Sequence, residues 1–324
     1  MLTTEPDLAR TSAALRRVVD NVEHVIAGGR EAVEAAVVCL FAEGNLLLEG
    51  VPGVGKTMLA RSIAASIDGT FSRVQATPDL LPSDLTGISV YDQEAKQFRF
   101  VPGPIFANVV LVDEINRTTP RTQSALLEAM EERQVTVENV THPLPEPYLL
   151  IATENPIEQH GTYPLPEGQL DRFTMTVLVG YPGHQAAQDV VRRQMLRHPI
   201  GDLAPVVSAE EVVAHQHAVR NVHVDPAVVE YVVMLVQATR VHPDVSLGAS
   251  PRSMLALTRT AQARAVAEGR SYVLPDDVKS LAPAVLAHRL MLKGHGGVAS
   301  GRALDVLRSV LDQVPVPLGI SGRA

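Results

Sequence analysis

Leu46-Leu-Leu-Glu-Gly-Val-Pro-Gly-Val-Gly-Lys-Thr57 (LLLEGVPGVGKT) decides the fold. Its first four residues form a run of strand length. Gly50–Thr57 then matches G-x-x-x-x-G-K-[ST], and a helical pattern follows from Met58 to Ile67. Strand, glycine loop and helix open an α/β unit. In such a loop the glycines let backbone N–H groups turn inward around a polyphosphate, and the next helix presents its N-terminus to the same anion. The reading assigns Gly50, Val51, Pro52, Gly53, Val54, Gly55, Lys56, Thr57 and Met58 to a phosphate cradle. Lys56 is placed to reach the terminal phosphates and the Thr57 hydroxyl to ligate Mg²⁺.

Outward from that loop, Asn108–Asp113 (NVVLVD) and Tyr148–Thr153 (YLLIAT) are continuous apolar runs, as in the centre of a parallel sheet covered on both faces. Asp113 and Glu114 end the first of them. A nucleoside triphosphatase needs a carboxylate at a strand end to hold Mg²⁺ through water and a base for the attacking water, so Asp113 takes the first role and Glu114 the second. Thr122–Arg133 reads as a helix, with Leu126 and Leu127 both reaching Met130. Gln97–Val101 and Gln134–Val140 read as parts of inserted β-hairpins. Residues 7–43 read as two amphipathic helices separated by Gly28-Gly29. Beyond Gly180–Gly183 (GYPG) only helical patterns follow: 185–197, 208–219, 226–240, 251–267, 275–292 and 300–313. Their starts are marked by Ser208 with Glu211, Asp225-Pro226 and Ser250-Pro251. The expectation is an α/β core with a parallel sheet flanked by helices over residues 1–183, then an all-helical lid over 184–324.

The chain has 324 residues, 46% hydrophobic and 20% charged, which suits a soluble protein of about two domains. A single cysteine, Cys39, excludes an internal disulfide and a Cys-based zinc site, and points to a reducing compartment. A net charge of −8 argues against non-specific nucleic-acid binding. The N-terminus does not read as a signal peptide, and no apolar stretch suits a membrane span, so the expected location is cytoplasmic.

The motifs together resemble the AAA+ ATPases, and within them the MoxR group. The resemblance rests on LLLEGVPGVGKT (46–57), ATPDLLPSDLTG (76–87), GPIFANVVLVDEINR (103–117), TQSALLEAMEERQVTV (122–137), IATENPIEQHGTYPLPEGQLDRF (151–173) and GASPRSMLAL (248–257). It implies that Asn155 is the sensor that orients the attacking water. It implies that Arg172 is an arginine finger projecting into a neighbouring subunit, and that Arg252 reaches from the lid to the γ-phosphate. Arg117 and Arg121 are rival candidates for a charge supplied across a subunit boundary. Gln75 is a candidate for holding Glu114 inactive. The resemblance further implies Mg²⁺–ATP in the cleft between core and lid, a hexameric ring, and lid rotation that performs work on a client. MoxR-like proteins mature metal- or cofactor-dependent complexes, often with a partner carrying a von Willebrand factor A domain. The hairpins at 88–104 and 134–142 are the candidates for client contact.

Three positions depart from the family's pattern. Gly28-Gly29 stands where relatives often have Gly-Gln, Asn45 replaces a histidine, and Glu154 replaces a glutamine beside the sensor. Other signals read as ordinary structure. His215, His217 and His223 lack metal-ligand spacing, Glu128–Glu132 reads as a solvated helix face, and Phe98 and Phe100 read as hairpin packing. The alternative functions on the same engine are a nucleic-acid motor or loader, a slow nucleotide-binding switch and a magnesium-chelatase-type motor subunit.

Overall fold

The computed structural model describes residues 5–155, 162–196, 199–294 and 300–317. In chain order its elements begin with α1 (Glu5–Glu23), α2 (Arg30–Phe41), β1 (Leu46–Glu49), α3 (Lys56–Ser66), β2 (Phe71–Gln75), α4 (Pro82–Thr86), β3 (Gly87–Asp92) and β4 (Gln97–Pro102). Next come β5 (Val109–Asp113), α5 (Pro120–Glu132), β6 (Gln134–Val137), β7 (Val140–Pro143), β8 (Leu149–Glu154), α6 (Glu167–Leu170) and β9 (Met175–Leu178). The C-terminal part holds α7 (His184–Leu196), α8 (Ala209–Arg220), α9 (Pro226–Val241), β10 (Val245–Leu247), α10 (Pro251–Ala267), α11 (Pro275–Leu286), β11 (Met291–Leu292) and α12 (Ser300–Gln313).

Five strands form one parallel sheet in the order β2-β5-β8-β1-β9. Because side chains alternate across a strand, each apolar run divides between two cores. Leu46, Leu48, Val109, Leu111, Leu149 and Ile151 face α1, α2 and α3. Leu47, Val110, Val112, Leu150 and Ala152 face α5. Parallel register brings all the C-terminal strand ends to one edge, where Glu49 lies beside Glu154 and Gln75 beside Asp113. That edge is the place where an open α/β sheet binds its ligand.

The expected hairpins are present as β3–β4 and β6–β7. Phe100 stacks on His142 at 3.9 Å between centroids and joins the two. Phe98 departs from the expectation of packing: it is 69% exposed and meets the edge of Tyr91. The first core also crosses the boundary drawn at residue 183. It runs from Val18 and Val22 through Val37 and Leu40 into Val219, Leu235, Leu257, Val285 and Leu307. α1 packs on α3 as well as on α8 and α10. His215 contributes to this packing, with Nδ1 2.9 Å from the Thr11 hydroxyl and its ring stacked on Phe41.

The helix expected over 275–292 ends at Leu286. A short 3-10 turn at Ala287–Arg289 follows, and then β11, which pairs antiparallel with β10. Strand β9 was not among the expected elements. MTVL is short and lacks an apolar run, and its strand identity comes from pairing with β1.

Candidate active site

The phosphate loop folds as its residue types require. Gly55 has φ +94° as it caps α3, a backbone conformation that side chains bearing a Cβ rarely adopt. Lys56 is 9% exposed and donates from Nζ to the Gly50 carbonyl at 2.5 Å. Burial pushes its pKa down, while Asp113 and Glu114 pull it back up. Beside the loop, a cavity of about 140 Å³ is lined by Ile26, Gly28, Gly29, Met58, Val179 and Pro182, among others. Its apolar walls suit a flat aromatic base. A Cβ at Gly28 would stand 2.4 Å from the Ala186 Cβ, so close packing of the loop on α7 calls for glycine there.

Asp113 and Glu114 leave β5 beside that loop. Asp113 Oδ1 accepts from the Thr153 hydroxyl at 2.8 Å, and its Oδ2 accepts from Arg73 Nη2 at 2.6 Å and Nε at 3.1 Å. The Thr57 hydroxyl points at the same Oδ2 from 3.5 Å. A hydroxyl and a carboxylate converging on one point form the hard-oxygen donor set that Mg²⁺ takes. Glu114 has φ +58°, a strained conformation for a residue with a side chain, of the kind that collects at functional sites. Its N–H donates to the Thr153 hydroxyl at 2.8 Å, which fixes the turn. Its carboxylate accepts from Gln75 Nε2 at 3.1 Å and pairs with Arg117 Nε at 3.0 Å. Gln75 therefore touches Glu114 directly, and Arg117 binds the same acid within its own chain. Arg121 is exposed at the start of α5.

Asn155 is buried and directly follows β8, the strand paired with β5. Residues 156–161 of the stretch quoted around it lie outside the described residues. Glu154 stands in register with Glu49 on the neighbouring strand. Burial, and then the Glu49 charge, push the Glu154 carboxyl up to about 7. An unfolded glutamate titrates near ~4.3, so between that pH and about 7 the folded chain keeps a proton that the unfolded chain has lost. Stability therefore falls as pH rises through this window and stays low above it, by up to about 4 kcal/mol. Glu154→Gln is expected to melt higher than the parent at pH 8 and close to it at pH 4.5. An equal gain at both pH values would show that the ionised carboxylate is not the cause.

Arg172 and Arg252 are not at this edge. Thr174 N–H donates to the Asn45 carbonyl at 2.8 Å, and Asn45 Nδ2 donates to the Met130 carbonyl at 3.0 Å. These bonds tie the start of β9 and the end of α5 to the start of β1. The phosphate loop lies at the other end of β1, a strand of four residues, or about 13 Å. At the far end Glu131 accepts from Arg172 Nε at 2.6 Å and also pairs with Arg252 Nη2. Arg172 donates again to the Gly168 carbonyl at 2.9 Å, and Arg252 lies 3.8 Å from Asp171. Two expectations change with this geometry. Arg252 does not reach the phosphate loop of its own chain, because it is paired at the opposite end of the sheet. Glu131 is no solvated helix position, since two arginines hold it.

The lid clamps this far end. Buried Arg289 donates to the carbonyl of Phe173 at 2.6 Å and to that of Asp171 at 3.1 Å, and its Nε reaches the Asp171 carboxylate at 3.0 Å. Burial pushes its pKa down to about 10, so the guanidinium stays charged at neutral pH. Asn45 also belongs to this end, where Arg133 donates to its Oδ1 at 3.3 Å, remote from any nucleotide group.

The sequence motifs do not mark Arg73 or Thr153 as site residues, and they place Glu131 only on an acidic helix face. Arg73 had a legible signal: in Phe71–Gln75 (FSRVQ) it alternates with Gln75, so the two share a face at the sheet edge. Thr153 and Glu131 acquire their partners only through tertiary packing.

Comparison with known proteins agrees with this fold. Residues 45–175 match the family profile described as ATPase family associated with various cellular activities (AAA), and residues 237–302 match the AAA lid domain. The uncharacterized protein YeaC of Bacillus subtilis is 48% identical over 304 residues, 94% of this chain and 95% of that one. Chaperone MoxR1 of Mycobacterium tuberculosis is 42% identical over 319 residues, 96% of this chain and 84% of that one. A crystal structure of a protein from Cytophaga hutchinsonii described as a candidate ATPase superposes with a TM-score of 0.88 at 35% identity, covering 97% and 98% of the two chains. With a phosphate loop, a strand-end Asp-Glu pair and a helical lid in this order, the chain belongs to the MoxR family of AAA+ ATPases.

Proposed function

We propose that the chain hydrolyses Mg²⁺–ATP at sites shared between the subunits of a hexameric ring, and that it uses the cycle to remodel client protein complexes. One observation carries the shared site. Lys56, Asp113 and Glu114 stand at one end of the sheet, while Arg172 and Arg252 stand together at the other. Within one chain the two groups do not meet, whereas a head-to-tail ring would set the arginine end of one subunit against the phosphate end of the next. Phosphoryl transfer needs added positive charge around the transferred group, and the arginines would supply it.

In this reading Thr57 and Asp113 hold Mg²⁺, which when bound neutralises phosphate charge. Lys56 reaches the terminal phosphates, Asn155 orients the attacking water, and Glu114 accepts its proton once freed from Gln75 and Arg117. The relative named a chaperone supports a protein client, as does the net charge of −8. Ile88, Val90, Tyr91 and Phe98 are each at least 44% exposed on β3–β4, a surface suited to client contact. A partner with a von Willebrand factor A domain fits the family pattern.

ATPase rate per subunit, measured against protein concentration with light scattering on the same samples, tests the shared site. The specific rate is expected to climb as the scattering mass climbs. A monomer that turns over at a constant full rate would remove the proposal.

A further inference from the structure

Arg73 makes the shortest contact to the acidic pair and has no part in the reading above. It lies on β2, one strand from Asp113, and both its Nη2 and its Nε donate to Asp113 Oδ2, at 2.6 and 3.1 Å. The other carboxylate oxygen is taken by the Thr153 hydroxyl at 2.8 Å. Oδ2 is also the oxygen toward which Thr57 points. The Gln75 side chain accepts from Arg73 Nη2 at 3.2 Å and so holds the guanidinium in place. A carboxylate oxygen offers two lone-pair sites, and two guanidinium N–H groups fill them. A cation, or a water bound to it, and Arg73 therefore compete for Oδ2.

We propose that Arg73 is a resident counter-ion that competes with the divalent metal for Asp113, so that metal binding must displace it. This rests on the reading in which Thr57 and Asp113 hold the metal. The guanidinium has a reason to be there: Asp113 is 8% exposed, and a buried carboxylate without a partner is costly. Arg73 is itself about half exposed, so the pair is weak enough to give way. The same release frees the oxygen of Gln75, whose amide nitrogen holds Glu114. Arg73 is thus a positioning residue, acting through Asp113.

Manganese binding tests the competition without turnover. Mn²⁺ is titrated into the protein saturated with a non-hydrolysable ATP analogue, and free Mn²⁺ is read by its paramagnetic resonance signal. Arg73→Gln is expected to bind Mn²⁺ three- to ten-fold more tightly than the parent, with Arg73→Lys between the two. Matching melting curves check that each variant is folded, and a merely structural role for Arg73 predicts no tightening. Unchanged or weaker Mn²⁺ binding by folded Arg73→Gln overturns the proposal. Asp113→Asn separates the two levels: if it leaves the parent's Mn²⁺ affinity unchanged, the metal does not sit on Asp113, and the reading beneath falls as well.

Discussion

Replacing Arg172 with alanine is expected to lower turnover by about 10³-fold or more while ATP still binds, the scale of losing an arginine finger. The fold should survive, because Arg172 contributes a partly exposed ion pair worth at most about 1 kcal/mol. Glu131 would keep Arg252. Mixing gives the decisive form of this experiment. Arg172→Ala subunits retain Glu114 and the phosphate loop, and Glu114→Gln subunits retain Arg172. If the site is shared, co-assembly creates interfaces that contain every group, and activity returns to a sizeable fraction of the parent rate. If Arg172 served its own chain, neither subunit could complete a site, and the mixture would stay as inactive as its components.

Glu114→Gln is expected to reduce turnover by 10²- to 10⁴-fold with nucleotide affinity nearly unchanged. The amide keeps the size of the side chain and removes its capacity to take a proton. Its effect on folding should be small, since the Glu114 backbone turn is fixed by its own N–H bond to Thr153. Binding of a fluorescent ATP analogue separates affinity from turnover. A variant that keeps more than a tenth of the parent rate would leave the proton acceptor elsewhere.

The phosphate-binding end was legible because local rules built it. Gly55 caps a helix at positive φ, Lys56 and Thr57 follow it directly, and an apolar strand delivers Asp113 to the same edge. The arginine end was named residue by residue but misplaced for Arg252. Ser250-Pro251 shows where the helix carrying that arginine begins, yet not which face of the core the helix approaches. The answer lies in long-range contacts, Arg289 on the carbonyls of Asp171 and Phe173 and Ser250 on the Asp171 carboxylate at 2.9 Å. Strand β9 was missed for a related reason, since its ladder is supplied by β1 rather than by its own composition. The acidic helix face misled because a charge run looks the same whether it meets water or two arginines.

The apolar cluster that passes from α1 and α2 into α8–α12 sets where the machine can bend. The loop touching the base cavity, at Ile26–Gly29, is strung between those two helices. Swinging the C-terminal helices away would strip cover from Val18, Val22, Val37 and Leu40, each worth about 1.5–3 kcal/mol when buried. The Ile26–Gly29 loop and the C-terminal helices are therefore expected to travel as a single link. In the proposed ring of such links the joints would fall at the boundaries, where one link's arginines would face the next link's phosphates. A stroke would then be a change in the angle between neighbours, with each nucleotide a pin across a joint.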